Sequence, residues 1–74
     1  MKDRVVSERI GAALRKRREA SGLSQDTFAA EIGMHRAYYG SLERGEVNLT
    51  LKTLRRICTG LRAKVWEVLR EADI

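Results

Sequence analysis

The amino-acid sequence predicts a single all-α domain of five short helices that spans residues 1–74. Three observations support this fold class. The chain contains no proline, its six glycines are spread singly, and its apolar residues recur at helical spacing. Such spacing is typical of helices with one buried face, and the alternation expected of a half-buried strand is missing. A chain of 74 residues is long enough for one small hydrophobic core only.

The first helix is expected to run from about Ser7 to Ala20. Its inner face carries three apolar residues at helical spacing: Ile10, Ala13 and Leu14. Gly22 lies just past the expected end, where glycine often terminates a helix because it tolerates a left-handed backbone. Arginine and lysine crowd the outer face, so this helix should pack on one side only.

The second helix is expected to begin after Ser24, a residue type that caps helices well, and to stop at Gly33. Its inward stripe is Phe28, Ala29 and Ile32. The third helix begins near His35 and stops at Gly45. Its inward residues are Tyr39 and Leu42. Two short helices joined by a glycine turn therefore occupy the stretch from about Ser24 to Arg44.

The fourth helix is expected after the polar stretch from Asn48 to Thr50. Its apolar stripe is Leu51, Leu54, Ile57, Cys58 and Leu61. A thiol in that stripe is expected to pack in the core. The fifth helix is expected from Val65 to about Glu71. Its apolar residues are Val65, Trp66, Val68 and Leu69. This is more apolar surface than one short helix needs to anchor itself, so part of it is expected to face a second subunit.

Composition excludes several classes of function. The formal charge of +5, from 15 basic and 10 acidic residues, attracts polyanions. One cysteine and one histidine cannot form a disulfide or a zinc site, so we predict no metal and no cofactor. No paired nucleophile and base and no phosphate-cradling glycine loop are present, so we predict no catalytic residues. No stretch approaches the ~20 apolar residues of a membrane span, which predicts a soluble, cytoplasmic protein.

The helix-turn-helix is the segment that predicts a function. Ala29 lies where two steeply crossing helices must come close, and Gly33 gives the backbone freedom for a short turn. The helix after this turn is held out from the body, and such a helix fits the major groove of DNA, which is about 12 Å wide. Its N-terminal residues would meet base edges there: His35, Arg36 and Ala37.

Several short motifs occur together in this segment: Gly22-Leu23-Ser24-Gln25, Ala29, Gly33, and residues 38–45 ending in Leu42-Glu43-Arg44-Gly45. With them the chain resembles the lambda-repressor-like, or Xre-type, helix-turn-helix family. His35-Arg36-Ala37-Tyr38 and Asn48-Leu49-Thr50-Leu51 are most similar to controller proteins of restriction-modification systems. The resemblance implies a compact five-helix domain, homodimers on palindromic operators, and transcriptional repression, activation or both, with control of the regulator's own promoter.

Three residues of the third helix are candidates for reading bases. Arg36 is the main one, because arginine can bond guanine O6 and N7 together; the alternative is a solvated surface arginine. Ala37 holds a second base-facing position in the family, where its methyl group can touch a thymine methyl group but forms no hydrogen bond. Ser41, one turn further on, can reach a base or a phosphate, although serine discriminates weakly.

Five further residues are candidates for the DNA backbone: Gln25, His35, Tyr38, Arg44 and Asn48. In the family the amide of Gln25 binds a phosphate, where free N–H groups of the second helix attract the same anion. Tyr38 suits a phosphate or sugar, or else packs against Leu42. His35 either caps the third helix or meets a phosphate. Arg44 and Asn48 flank the turn after that helix and suit backbone clamps.

Other residues are assigned structural roles through the resemblance. In related domains the positions of Arg18 and Glu43 form an ion pair that holds the first helix against the recognition helix. Arg17 departs from the family pattern, which usually has an apolar residue there, and is expected to extend its charge outward over apolar neighbours. Trp66 and Leu69 are assigned to a dimer interface, with capping of the core as the alternative.

The expected partners are double-stranded DNA, bound through the major groove, and a second copy of the chain, with RNA polymerase as a further candidate and no membrane. One rival hypothesis is an antitoxin-like regulator whose fourth and fifth helices bind a toxin, which a co-purifying partner would reveal. A non-specific RNA-binding protein is a second rival, but RNA modules usually stack bases on exposed aromatic residues of a sheet.

Overall fold

The computed structural model describes residues 2–74 and confirms the all-α fold class. Met1, the first residue of the predicted domain, lies outside the described residues. Residues 2–74 contain five helices and no strands: α1 (Asp3–Ala20), α2 (Gln25–Glu31), α3 (Arg36–Glu43), α4 (Leu51–Gly60) and α5 (Val65–Glu71). The helix-turn-helix consists of α2 and α3.

The expected start of the first helix at Ser7 was wrong, since α1 begins at Asp3. Asp3 lies in the first turn, where a negative charge is favoured by the partial positive charge of a helix N-terminus. Arg4 and Glu8 form an i,i+4 ion pair with 3.9 Å between Nε and Oε2. Val6 in the added turn is partly buried against the core, so both charge patterning and core packing favour the earlier start.

Hydroxyl side chains begin two of the helices. Ser24 Oγ accepts a hydrogen bond from Thr27 N at 3.1 Å at the start of α2, and Thr50 Oγ1 accepts one from Thr53 N at 3.1 Å at the start of α4. Between α2 and α3, Gly33 adopts a φ of +65°, a left-handed conformation that side chains other than glycine rarely tolerate. The expected cap at Ser24 and the glycine turn are thus both present.

The core lies where α1 packs on α3 and α5, α2 on α3, and α4 on α5. Phe28 and Tyr39 are its largest side chains, and their rings meet edge to face with centroids 5.2 Å apart. Burial raises the pKa of the Cys58 thiol, which favours its neutral, unreactive form. The buried apolar residues are Ile10, Ala13, Leu14, Phe28, Ala29, Tyr39, Leu42, Leu54, Ile57, Cys58, Val68 and Ala72.

Leu51 does not belong to the core, so its expected place in the inward stripe of α4 was wrong. It is the first residue of that helix and remains 66% exposed between two exposed neighbours, Thr50 and Lys52. Helical spacing places a residue on a face, but it does not show whether another part of the fold covers that position.

Arg17 is paired rather than extended over apolar neighbours. Its Nε donates to Glu71 Oε1 at 2.8 Å, and its Nη2 bonds the other oxygen of the same carboxylate. This bidentate contact joins α1 to the last residue of α5. The hydrogen bond from Arg17 also lowers the pKa of the Glu71 carboxyl.

Arg56 fastens the turn of the helix-turn-helix to α4. Its guanidinium donates to Ile32 O at 2.6 Å and to Gly33 O at 2.7 Å, which are carbonyls at the end of α2. These carbonyls have no partner within the helix. The Arg56 cation supplies the missing hydrogen bonds and interacts favourably with the partial negative charge at the C-terminus of the helix. Sequence reasoning missed this contact because it joins residues 24 positions apart.

Gly11 sets the distance between α1 and the recognition helix. A Cβ atom at this position would lie 2.6 Å from Leu42 O and closer still to Glu43 O. Both atoms belong to the backbone of α3, which cannot move aside as a flexible side chain can. Only a glycine therefore allows α1 to approach the end of α3 this closely.

Gly11→Ala is expected to lower the free energy of unfolding by about 1–3 kcal/mol, the usual cost of overfilling a packed contact. The matched control is Gly40→Ala, also within a helix, where Cβ would meet only side-chain ends, Arg44 Nη1 at 3.2 Å and Gln25 Oε1 at 3.4 Å. Thermal melts followed by circular dichroism compare the two. A melting temperature for Gly11→Ala equal to that of Gly40→Ala would contradict this role.

Candidate nucleic-acid interface

The helix α3 presents one face to the core and the other to solvent. Tyr39, Leu42 and Glu43 are buried, whereas Arg36 and Ala37 are exposed. The core positions are spaced three and four residues apart, so the intervening positions point away from the body. The candidate base readers Arg36 and Ala37 thus lie on the free face of α3, at its N-terminal end.

His35 caps α3, which was one of its two expected roles. Its Nδ1 accepts a hydrogen bond from Ala37 N at 3.3 Å. An accepting Nδ1 carries no proton, so the remaining ring proton of a neutral imidazole is on Nε2. Since His35 is exposed, that Nε2–H is available to donate to a phosphate, and capping and phosphate binding are compatible.

Arg36 is held in an ion pair by a residue that sequence reasoning did not single out. Its Nε lies 2.5 Å from Oδ1 of Asp26 in the first turn of α2, and both side chains are exposed. The two residues are ten positions apart on different helices. No periodicity predicts such a pair, because it depends on how α2 and α3 cross.

Ser41 and Tyr38 are joined through the backbone of α3. The Ser41 hydroxyl donates to Tyr38 O at 2.6 Å, which leaves its oxygen able to accept but not to donate. In this conformation Ser41 suits a base amino group better than a phosphate. The Tyr38 side chain is 43% exposed, so its hydroxyl is accessible to a sugar or phosphate.

Gln25 is bound to the protein interior. Its Nε2 donates to Glu43 Oε1 at 2.8 Å, which uses one of the two amide hydrogens and leaves the other for a phosphate. Beside it lies a cleft of about 270 Å³ lined by Gln25, Arg36, Ala37, Gly40 and Arg44. Gly40 forms part of this cleft because it has no side chain. Sequence reasoning missed it, since only the packed helices show that a Cβ there would approach Gln25 and Arg44.

Arg44 and Asn48 lie at the other end of α3. Arg44 is the C-cap residue of α3, and its Nε pairs with Glu46 Oε2 at 3.1 Å. Asn48 is exposed in the segment between α3 and α4. The structure therefore brings Arg44 to the cleft beside Gln25 and leaves Asn48 outside it.

A buried ion pair joins α1 to the end of the recognition helix. Arg18 Nε donates to Glu43 Oε2 at 2.7 Å and Arg18 Nη2 to Glu43 Oε1 at 3.2 Å, while Arg18 Nη1 donates to Leu23 O at 2.7 Å. Both side chains are at least nine-tenths buried. Through Gln25, the same carboxylate also holds the first residue of α2. One anion thus sets the mutual positions of three helices.

The electrostatics of this site follow from its burial. Burial by itself would raise the pKa of the Glu43 carboxyl, but the hydrogen bonds from Arg18 and Gln25 outweigh it and lower that pKa below its ordinary 4.5. The hydrogen bond to Glu43 raises the pKa of Arg18. Burial also raises the pKa of the adjacent Tyr39 phenol. At neutral pH the buried pair therefore consists of one cation and one anion, and the phenol beside it is neutral.

The apolar residues assigned to a dimer interface differ in exposure. Trp66 is 58% exposed, whereas Leu69 is half-buried against the core. Of the two residues assigned to the interface, Trp66 is thus the one whose side chain is largely available to a partner.

Within residues 2–74 no group of three or more metal-ligating side chains comes together. The helices of this part of the chain are also too short or too polar to cross a bilayer. The candidate site that remains is the free face of α3 with the adjoining start of α2.

Comparison with known proteins agrees with this geometry. The family model HTH_3, described as helix-turn-helix, matches residues 14–64. Control protein C.MunI of Mycoplasma sp is 39% identical over 69 residues, which is 92% of this chain and 93% of that protein.

Two solved structures are similar in fold. The clp gene regulator ClgR from C. glutamicum superposes with a TM-score of 0.89 at 34% identity, over 92% of this chain and 87% of that one. The restriction-modification controller protein C.AhdI from Aeromonas hydrophila superposes with a TM-score of 0.78 at 38% identity, over 82% and 92% of the two chains.

Proposed function

The chain belongs to the HTH_3 helix-turn-helix family and is a DNA-binding transcriptional regulator, and we propose that it acts as a homodimeric controller of a restriction-modification system. The observation that carries this proposal is the likeness to C.MunI, which extends over 92% of this chain and 93% of that control protein. The similarity therefore includes α1 and α5 as well as the DNA-binding segment. We also propose that residues 1–74 form one domain and that the protein acts in the cytoplasm.

The proposed DNA contacts follow the geometry of α3. Arg36 reads guanine in the major groove, and Ala37 contacts a thymine methyl group. Ser41 accepts from a base amino group. The candidates for the backbone are Gln25, His35, Tyr38, Arg44 and Asn48. Backbone contacts set the register of the helix, while base contacts give the sequence preference.

A dimer is proposed because one recognition helix reads few base pairs. Two copies related by a two-fold axis bind two half-sites about one helical turn, ~34 Å, apart. We propose that the regulator responds to its own concentration through dimerisation and cooperative binding at its own promoter. RNA polymerase is the proposed second protein partner where the operator adjoins a promoter.

Trp66→Lys is expected to shift the dimer toward monomer, because it places a charge in the centre of the proposed apolar contact. Operator affinity should fall with it, since the two half-sites are then bound independently. Equilibrium sedimentation at micromolar concentration measures the shift. Lys64→Ala, an exposed change next to α5, is the control. A monomeric wild-type protein would contradict the dimer.

The direct test of the function is a gel shift with the DNA upstream of the gene. A controller should bind that fragment in preference to unrelated DNA of equal length. Neighbouring methyltransferase and endonuclease genes would support the restriction-modification assignment. A neighbouring toxin gene with a co-purifying product would contradict it in favour of an antitoxin.

A further inference from the structure

The carboxylate of Asp26 contacts the residue proposed to read guanine. Arg36 Nε lies 2.5 Å from Asp26 Oδ1, across the gap between the starts of α2 and α3. We propose that Asp26 is a positioning residue that orients the guanidinium of Arg36 for guanine and disfavours its contact with phosphate. This inference rests on the proposed function, because it concerns how the same residue reads DNA.

The contact that Asp26 makes with the guanidinium is at Nε, the nitrogen nearest the chain. Guanidinium is planar and has several N–H donors, so a carboxylate at Nε is compatible with a bidentate contact from Nη1 and Nη2 to guanine O6 and N7. The side chains of Arg36 and Asp26 are 71% and 62% exposed, so the pair adds little to stability. The effect of the pair is to orient the long Arg36 side chain, which would otherwise rotate freely in solvent.

The backbone that carries Asp26 is held in place. The start of α2 is capped by Ser24 Oγ, which accepts from Thr27 N at 3.1 Å, and the neighbouring Gln25 is bonded to the buried Glu43. A carboxylate in the first turn of a helix is also favoured by the helix dipole. Arg36 begins α3, whose start is capped by His35. Two capped helix starts therefore place the backbones of Asp26 and Arg36 within reach of each other.

The carboxylate also acts on the choice between base and phosphate. A guanine edge is neutral and its acceptors suit the free end of the guanidinium, whereas a phosphate brought to Arg36 carries a negative charge toward Asp26. Like charges close together repel. Asp26 therefore weakens non-specific binding while it lowers the ordering cost of specific binding, and both effects raise the ratio of specific to non-specific affinity.

Asp26→Asn tests the proposal by removing the charge and keeping the shape. A duplex selected from a random-sequence pool serves as the specific probe, and a scrambled duplex of the same composition as the non-specific one. We expect the variant to bind the scrambled duplex more tightly than the wild type does. The ratio of specific to scrambled affinity should fall by about tenfold over two half-sites, because one arginine side chain per half-site is no longer oriented before binding. In an Arg36→Ala background the same change should leave the ratio unaltered.

Asp73→Asn is the matched control for charge. Asp73 is exposed, pairs with Arg9 at the opposite end of the chain, and has a φ of +59° that asparagine also tolerates. This variant should alter both affinities equally. An Asp26→Asn variant that does the same, or that raises the ratio, would overturn the proposal. A wild-type protein that binds the selected and scrambled duplexes equally well would instead refute the proposed function.

Discussion

Glu43→Ala is expected to lower the melting temperature by at least about 12 °C and to weaken DNA binding in the same variant. Glu43 is the buried anion that Arg18 and Gln25 both contact. Removing one partner of a buried pair costs about 3–5 kcal/mol, since an uncompensated charge remains. In a domain of this size each kcal/mol corresponds to roughly 4–8 °C. Binding falls as well, because Gln25 and the end of α3 lose the group that aligns them.

A double variant, Arg18→Met with Glu43→Leu, separates the loss of stability from the loss of DNA binding. It leaves no buried charge, so most of the lost stability should return. Gln25 still lacks its acceptor, so DNA binding should remain weak. Thermal melts and gel shifts on the same preparations measure both quantities. An unchanged melting temperature for Glu43→Ala would refute the structural role of the pair.

The same carboxylate makes stability depend on pH. The pKa of Glu43 lies below 4.5 in the folded protein, so its contribution is complete above the ordinary value of the unfolded chain. It is lost as the pH falls through the lowered pKa. The difference in melting temperature between the wild type and Glu43→Gln should therefore shrink as the pH falls below the ordinary carboxyl value of 4.5. A difference that stays constant on acidification would contradict the lowered pKa.

Arg36→Ala is expected to reduce the preference for the operator over unrelated DNA by about tenfold or more per half-site, as the loss of one bidentate contact to guanine implies. Affinity for unrelated DNA should change much less. Arg36→Lys keeps the charge but not the planar fork, so it should lose preference while retaining general affinity. Competition gel shifts with operator and scrambled duplexes give both values.

Arg44→Ala tests a backbone contact for comparison with Arg36→Ala, because Arg44 is assigned to a phosphate and Arg36 to a base. It should weaken binding to all sequences equally and reduce the slope of log affinity against log salt by about 1 per subunit. Arg15→Ala is the neutral control, since Arg15 on α1 is exposed and pairs with Glu19 as Arg36 pairs with Asp26. Retained sequence preference in Arg36→Ala would exclude Arg36 as the reader.

Much of the fold follows from local signals in the sequence. Ser24 and Gly33 mark the ends of α2 because capping and left-handed turns depend on neighbouring residues alone. The stripe from Leu54 to Leu61 predicts the buried face of α4 for the same reason. Local patterns do not say which residues of a helix the rest of the fold covers, so they misplaced Leu51 and missed the contact of Val6 with the core at the start of α1.

The candidate site also contains some features that the sequence predicts and others that it does not. Residue types and spacing along single helices were enough to predict the five-helix fold, the helix-turn-helix, and the place of Arg36 and Ala37 at the start of α3. The packed helices were needed to show that Asp26 holds Arg36, that the carboxylate expected to pair with Arg18 also binds Gln25, and that Gly11 allows the end of α3 to approach α1. These contacts depend on the distance and crossing of separate helices, which the packing of the whole core determines.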